Sequence, residues 1–212
     1  MKKLSKTLSV LTVMFLLISC IGLETKREAL PNGFTDSRSG LNLKIEDGFV
    51  YKGNFTNAKH NLKATNTDGA FTCVYDYHVW EKGTSHILVL FKTLKDEHSY
   101  WNRLNINSKK WKAINLKKEK LGGKKWVTGF QTINLSSWQR EEANKLGINY
   151  EKSIAKLWLR NSRIQTQIWI YYSEKSNMRT RKIKKRGYMT DSDRTNIKNF
   201  GKRADAAITF TK

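Results

Sequence analysis

The stretch AFTCVYDYHVWEKGTSHILVLFKTL, residues 70–94, decides the fold of this chain. Residues 70–80 are dense in β-branched and aromatic side chains, and residues 85–94 contain the unbroken apolar run 87–91. The polar residues 81–84 separate the two segments. This pattern predicts a β-hairpin whose second strand lies inside a sheet and is buried on both faces.

Shorter strand signals lie on both sides of this hairpin. Strands are expected where apolar and polar residues alternate or aromatic residues cluster, at residues 41–45, 49–52, 111–116 and 126–135. The polar residues 54–69 are expected to form a loop, and residues 117–125 are expected to form a second loop because they contain a glycine pair. Strands close together in sequence favour antiparallel pairing.

Two segments carry helix signals. Ser136 stands three residues before Gln139, which is a capping-box pattern, and Gly147 is a helix stop, so a helix is expected over residues 137–146. Cap-type residues from Thr190 onward predict a C-terminal helix that Gly201 interrupts. The last residues either extend that helix or form a final strand.

Residues 150–172 fit two structures. As a helix, they place an apolar stripe on one side. As a hairpin turning at Asn161 and Ser162, they place Leu159 opposite Ile164 and a consistent apolar set on one face. We favour the hairpin.

The fold class predicted for residues 41–212 is therefore a single α+β domain, built on a mainly antiparallel twisted sheet with two or three short helices.

The first twenty residues predict an export signal. Three lysines precede the apolar run 8–18, which is shorter than the roughly 20 residues that a membrane-spanning helix needs. The run ends at Leu17-Ile18-Ser19-Cys20, which resembles the lipobox of bacterial lipoproteins. The resemblance implies that residues 1–19 are a cleaved signal peptide and that Cys20 carries a diacylglycerol and palmitate lipid anchor.

The residues after the cysteine predict where the chain is held. Residues 20–40 are polar and lack strand or helix periodicity, so we expect a flexible tether. Ile21 follows the cysteine, which resembles the sorting signal for the outer rather than the inner membrane. The lysine- and asparagine-rich composition is similar to that of spirochaete (Borrelia-like) surface lipoproteins. That resemblance implies a surface antigen in the bacterial cell envelope.

The net charge indicates which partners the chain can bind, and the cysteine content indicates whether it can form a disulfide. The formal net charge of the full chain is +22, which favours anionic polymers, acidic proteins and anionic lipid headgroups as partners. With Cys20 acylated, Cys73 has no disulfide partner. Because Cys73 lies in an apolar run, we expect it to be a small buried hydrophobic residue.

Two basic clusters are the predicted binding residues. The first lies in residues 175–186 and resembles the basic clusters of heparin-binding proteins; its members are Arg179, Arg181, Lys182, Lys184, Lys185 and Arg186. The second interleaves lysines with Trp111 and Trp126; its members are Lys109, Lys110, Lys112, Lys124 and Lys125. The alternative for the first cluster is a solvated loop. For the second, it is an edge strand protected by lysines whose tryptophans pack inward.

No local motif for catalysis or metal binding is present in the sequence. The four histidines lack His-x-x-x-His spacing, and neither a Gly-x-Ser-x-Gly elbow nor a Gly-Lys-Ser phosphate loop occurs. His78 and Asp76, on one face of a predicted strand, are the only candidate acid/base pair. We therefore predict no enzyme activity, no cofactor and no metal.

These features together predict a membrane-anchored, basic, non-enzymatic binding protein, adhesin-like, whose partner is an anionic polymer such as a glycosaminoglycan, or an acidic host protein. Nucleic acid is not the expected ligand because an exported lipoprotein seldom meets it. Two alternatives stay open. One is a periplasm-facing scaffolding lipoprotein that contacts anionic lipid or envelope proteins, and the other is an accessory subunit of an enzyme complex.

Overall fold

The computed structural model describes residues 27–63, 70–96, 98–107, 113–133, 135–149, 152–176 and 189–212. Within these ranges the chain forms eleven strands and two helices. In chain order they are β1 (Arg27–Leu30), β2 (Gly33–Asp36), β3 (Leu41–Ile45), β4 (Val50–Lys63), β5 (Ala70–Lys82), β6 (Ser85–Leu94), β7 (Ile114–Leu121), β8 (Lys124–Ile133), α1 (Ser137–Lys145), β9 (Ser153–Asn161), β10 (Thr166–Lys175), α2 (Asp191–Ala207) and β11 (Ile208–Phe210).

The larger sheet contains seven strands in the order β4-β5-β6-β10-β9-β8-β7. Each neighbouring pair is antiparallel. The predicted hairpin of residues 70–94 is confirmed as β5 and β6, which pair with Trp80 opposite Ile87. β6 lies between β5 and β10, and most of its residues are buried on both faces, as the apolar run predicted.

The smaller sheet, in the order β1-β2-β3-β11, packs together with α2 against one face of the larger sheet. We call this covered face of the larger sheet the inner face. Its core contains Phe34 from β2, Trp80, Phe91, Trp158 and Phe200 from α2, none of them more than 2% exposed. The opposite side, the outer face, carries α1 and a shallower apolar layer.

At the level of fold class, the prediction of a mainly antiparallel α+β structure is confirmed. The strands divide between two sheets rather than forming one. Among the described residues two helices occur, and α2 is 17 residues long rather than short. The division arises because β11, at the C-terminus, pairs with β3 near the N-terminus, where Ile208 stands opposite Ile45.

The predicted tether is wrong for the part of it that the structure describes. Residues 27–40 contain β1 and β2, which pair with Arg27 opposite Asp36, and β2 also pairs with β3. Phe34 is completely buried. Two strands of four residues each carry too little periodicity to be seen in sequence, and their partners lie in other elements. Residues 20–26 lie outside the described ranges.

Two predicted loops are also strands. Residues 54–63 belong to β4, which extends along nearly the whole length of β5. Residues 117–121 belong to β7, so the turn before β8 consists of Gly122 and Gly123, with φ of 53° and 76°. β4 and β7 are the two edges of the sheet, and edge strands tolerate the polar side chains that had suggested loops.

The hairpin favoured over residues 150–172 is confirmed as β9 and β10, but its predicted register is wrong. Leu159 stands opposite Trp169 rather than Ile164. The connection spans residues 162–165 instead of two residues, and Ile164 in it is 75% exposed. Because Asn161 pairs with Gln167, five residues separate the paired strand ends instead of two, and a difference of an odd number of residues reverses which side chains share a face.

The helix signals give two accurate predictions and one error. Ser136 and Gln139 form the predicted capping box of α1. Thr190 caps α2 by accepting a hydrogen bond from the Asp193 backbone N–H at 3.1 Å. Gly201 does not interrupt α2; instead it lies where an added Cβ would meet Phe130 at 3.1 Å. The final residues leave the helix and form β11.

Candidate functional site

Most of the predicted binding residues lie outside the described ranges. This holds for the lipidation residue Cys20, for Lys109, Lys110 and Lys112, and for Arg179, Arg181, Lys182, Lys184, Lys185 and Arg186. Lys124 and Lys125 are described, and both are exposed at the start of β8. Lys125 stands directly opposite Lys120 of β7, so the hairpin end presents lysines on one face.

The edge-strand interpretation of the second cluster agrees with its described residues. β7 is an edge of the sheet, and its lysines 117, 118 and 120 are exposed. Trp126 is 2% exposed and packs inward, where its ring lies 4.9 Å from that of Phe210. These lysines therefore protect an edge, and Lys117 is also ion-paired with Glu119.

The candidate acid/base pair, His78 and Asp76, belongs to a buried network on the inner face. Asp76 Oδ2 lies 3.5 Å from His78 Nε2 and accepts a hydrogen bond from Arg27 Nη1 at 2.7 Å. The hydroxyl of Tyr51 lies 3.2 Å from His78 Nδ1. Arg27 Nε also donates to Asp36 at 3.3 Å, which joins β1, β2 and β5.

This network holds the two sheets together rather than forming an accessible site. His78 is 7% exposed and packs against Phe34, with ring centroids 4.9 Å apart. Burial alone would raise the pKa of Asp76, but the hydrogen bond and charge of His78, followed by those of Arg27, lower that pKa overall. Burial and the charge of Asp76 raise the pKa of Tyr51, so its phenol is not activated as a base.

The candidate site is a cleft on the outer face with a volume of about 570 Å³. Its floor is formed by β5, β6 and β10, and one wall by residues 131–133 at the end of β8 and residues 135–139 at the start of α1. This volume is within the range of roughly 300–1,000 Å³ that is typical of small-ligand sites.

Aromatic side chains line the cleft because of the strand register. Tyr75 and Tyr77 are two residues apart on β5 and therefore point to the same face, as do Trp169 and Tyr171 on β10. Each pair is stacked, with ring centroids 6.4 Å and 6.0 Å apart. Tyr75 and Tyr77 of β5 and Tyr171 of β10 line the cleft, with Leu88 and Leu90 of β6 between the two strands, and Trp169 stacks on Tyr171.

The first turn of α1 fixes the wall. The side chain of Trp138 packs edge-on against Tyr77, with ring centroids 5.8 Å apart. Gln139 accepts a hydrogen bond from the Ser136 backbone at 2.9 Å and donates its Nε2 to the Tyr77 hydroxyl at 3.1 Å. The capping box thus also ties the helix to the floor. A ligand would enter a cleft whose wall is already ordered.

Two lysines bring positive charge to the aromatic rings. Lys92, opposite Tyr75 in the register, places Nζ 3.9 Å from the centroid of Trp169 and 5.7 Å from that of Tyr75. Lys59 places Nζ 5.5 Å from Tyr75 and 5.7 Å from Trp138. None of the described residues that line the cleft is aspartate or glutamate. The cations are held by ring faces rather than by carboxylates.

Burial perturbs the charge of Lys92. Because it is partly buried, its pKa falls from the ordinary value of 10.5 to about 8. The neighbouring thiol of Cys73 opposes the shift, while the charge of Lys59 adds to it. A lysine in this position gains from any ligand that brings negative charge into the cleft.

Cys73 agrees with the sequence prediction of a small buried residue. It is completely buried near the start of β5, on the outer face, and His78 points to the inner face. Burial raises the pKa of its thiol, so the thiolate is disfavoured. Within the ranges listed at the start of the fold description, no three potential metal ligands cluster.

The sequence contains an aromatic pattern that belongs to the cleft and that amino-acid composition alone does not indicate. Tyr75-x-Tyr77 and Trp169-x-Tyr171 are period-two aromatic pairs on neighbouring parts of one sheet, and Lys92 follows the apolar run of β6 directly. Recognising the site required the pairing of β6 with β10, which joins residues about 80 positions apart.

None of the helices formed by described residues is both long and apolar enough to span a bilayer.

Neither a family model, nor a curated protein, nor a solved structure matches this chain.

Proposed function

We propose that this chain is a lipid-anchored envelope protein that binds an anionic carbohydrate, such as a glycosaminoglycan segment, in the outer-face cleft. The observation that carries the proposal is the pairing of Lys59 and Lys92 with aromatic rings in a cleft whose described lining contains no carboxylate. A carboxylate or sulfate on the ligand would supply the missing counter-charge.

The aromatic surfaces favour a sugar over a fully charged ligand. The C–H faces of a pyranose ring are apolar and pack on aromatic rings, which bury a large area at little entropic cost. Tyr75 and Trp138 are partly exposed and offer such surfaces at the cleft. The Gln131 and Gln139 amides add hydrogen-bonding groups for sugar hydroxyls.

Anchoring would place the cleft near the membrane. With Cys20 acylated, six residues separate the lipid from Arg27, where β1 begins. A fully extended chain of that length spans at most about 25 Å. The domain would then stay close to the bilayer, and the large positive charge would also favour anionic surfaces within about 10 Å.

The test is calorimetric titration of residues 21–212 with a heparin-derived oligosaccharide and with a neutral oligosaccharide of equal length. We expect saturable binding of the anionic sugar only. Lys92→Met should weaken it roughly 10- to 100-fold, which corresponds to a charged hydrogen bond of about 1.5–3 kcal/mol. Trp138→Ala should weaken it by a similar factor without changing the net charge.

The control is Lys198→Met, which removes the same charge from an exposed position on α2. If Lys198→Met and Lys92→Met weaken binding equally, the interaction is long-range attraction to a basic protein and the cleft is not the site. A further arm reverses the charges of Arg179, Arg181, Lys182, Lys184, Lys185 and Arg186. Loss of binding there, with Lys92→Met unaffected, would assign the ligand to that segment instead.

A further inference from the structure

Two turns meet at one end of the inner face and bring arginines together. Arg160, at the end of β9, donates Nη2 to the Ser39 carbonyl at 2.5 Å. Arg163, in the turn that follows, donates Nη2 to the Arg38 carbonyl at 3.2 Å. Two guanidinium groups therefore bind successive carbonyls of the β2–β3 turn.

Arg160 is a buried cation without a counter-ion among the described residues. It is 7% exposed, and its Nε is buried with no hydrogen-bond partner. Its guanidinium carbon lies 5.1 Å from the ring of Trp126, which offers a weak cation–π contact. A buried, unpaired charge is strongly unfavourable, and proteins seldom retain one without a compensating anion.

The nearest carboxylate, Asp36, is already occupied by other donors. Its Oδ1 accepts a hydrogen bond from Arg27 Nε at 3.3 Å, and its Oδ2 accepts one from the Ser39 backbone N–H at 2.9 Å. Burial lowers the pKa of Arg160, and the charge of Asp36 opposes that effect only in part. The positive charge of Arg160 therefore remains largely uncompensated.

Further donors without partners surround the same corner. The hydroxyls of Ser39 and Ser162 are buried and have no hydrogen-bond partner. The side chain of Lys124 approaches Gly40, where an added Cβ would lie 3.8 Å from Nζ. Arg38, Arg163 and Lys124 are exposed, so they form an outer rim around the buried Arg160.

We propose that this corner is a binding site for a tetrahedral oxyanion, either phosphate or the sulfate or phosphate group of an ester. Guanidinium groups match such anions through paired N–H donors, and serine hydroxyls complete the set of donors. The site is distinct from the cleft. Arg160 pairs with Ile168 and points to the inner face, whereas the neighbouring Trp169 points to the outer face. It therefore does not depend on the proposed carbohydrate function.

The test is thermal unfolding of the full-length chain in detergent, titrated with inorganic phosphate or sulfate against chloride at constant ionic strength. We expect a saturable rise in Tm of about 3–5 °C at tenfold excess over Kd. Arg160→Met should abolish the rise, and Arg163→Gln, at an exposed position, should weaken the affinity about tenfold. Glucosamine 6-sulfate and glycerol phosphate then distinguish a sulfated sugar from a phosphate ester.

Arg194→Gln serves as the matched control because Arg194 is exposed on α2 and distant in sequence from both turns. Its anion response should equal that of the unmodified chain. Equal responses of Arg160→Met, Arg163→Gln and Arg194→Gln would overturn the proposal, as would a phosphate response no larger than that of chloride. If Arg160→Met does not fold, Arg163→Gln against Arg194→Gln decides the result.

Discussion

Replacing Lys92 by methionine tests two consequences of its charge, which are a lower stability of the ligand-free protein and a higher affinity for an anionic ligand. Methionine has a similar length and keeps the apolar contact with Trp169, whose ring centroid is 3.9 Å from Nζ in the unmodified chain. It removes the charge that burial disfavours. Ligand-free protein should therefore become more stable, whereas affinity for an anionic ligand should fall.

The magnitude follows from the pKa of Lys92, which falls from 10.5 to about 8 on folding. Each pKa unit corresponds to about 1.4 kcal/mol, so the charged form is disfavoured by at most about 3 kcal/mol. Water reaches the open side of the cleft and screens part of this, which leaves about 1–3 kcal/mol. Lys92→Met should raise the free energy of unfolding by that amount near pH 7.

The stability of the unmodified protein depends on pH because folding lowers the pKa of Lys92. Between about pH 8 and 10.5 the unfolded chain holds the Lys92 proton and the folded chain does not, so the stability of the unmodified protein rises across this window. The advantage of Lys92→Met should therefore shrink to nearly zero by pH 10.5. Urea unfolding followed by tryptophan fluorescence at pH 7 and 10.5 measures it, with Lys198→Met as the exposed control. An advantage that is absent at pH 7, or equal at both pH values, would refute the reasoning.

Three further perturbations test other parts of the structure. Phe34→Ala should lower the free energy of unfolding by about 3–5 kcal/mol because this side chain is fully buried, and a urea-measured loss below about 1 kcal/mol would mean that β2 is not part of the core. Arg27→Met should cost about 3–5 kcal/mol near neutral pH because it removes the cation that contacts both Asp36 and Asp76. That loss should diminish in acid because protonation removes the negative charge of Asp76. Folding lowers the pKa of Asp76, so its ion pair stabilises the fold above pH 3.8 and this stabilisation is lost as the pH falls below that value. A loss that does not depend on pH would contradict the role of the ion pair. Cys20→Ser should release the chain from the membrane fraction, and a native amino terminus that mass spectrometry finds unacylated would remove the anchor.

Local sequence was sufficient for the elements that complete themselves locally. The hairpin of residues 70–94 contains both of its strands and its turn, and α1 contains its own cap, Ser136 with Gln139. Burial on both faces of β6 also followed directly from its apolar run. In each case the pattern that predicts the element lies within about 25 consecutive residues, even where distant residues such as those of β10 also stabilise it.

Strands whose pairing partners are distant in sequence are not predicted correctly from local patterns. β1 and β2 become strands because β2 pairs with β3, which in turn pairs with the C-terminal β11. Residues 54–63 of β4 are mostly polar, which is normal for an edge strand but predicts a loop from sequence alone. The cleft combines Tyr75, Lys92 and Trp138 from three elements, so no contiguous pattern could reveal it. The density of positive charge in the sequence instead predicts binding sites at the two basic clusters, residues 109–125 and 175–186.

The central claim is that an anionic sugar contacts Lys59 and Lys92 in the outer-face cleft. The most direct measurement is NMR of the protein with ¹³C-methylated lysines, titrated with a heparin-derived oligosaccharide and assigned with Lys59→Met and Lys92→Met. The account predicts saturable shifts of those two resonances at sugar concentrations that leave Lys198 unchanged. Shifts confined to lysines 118, 120 and 125 of the β7–β8 hairpin, with Lys92 unmoved at saturation, would contradict it.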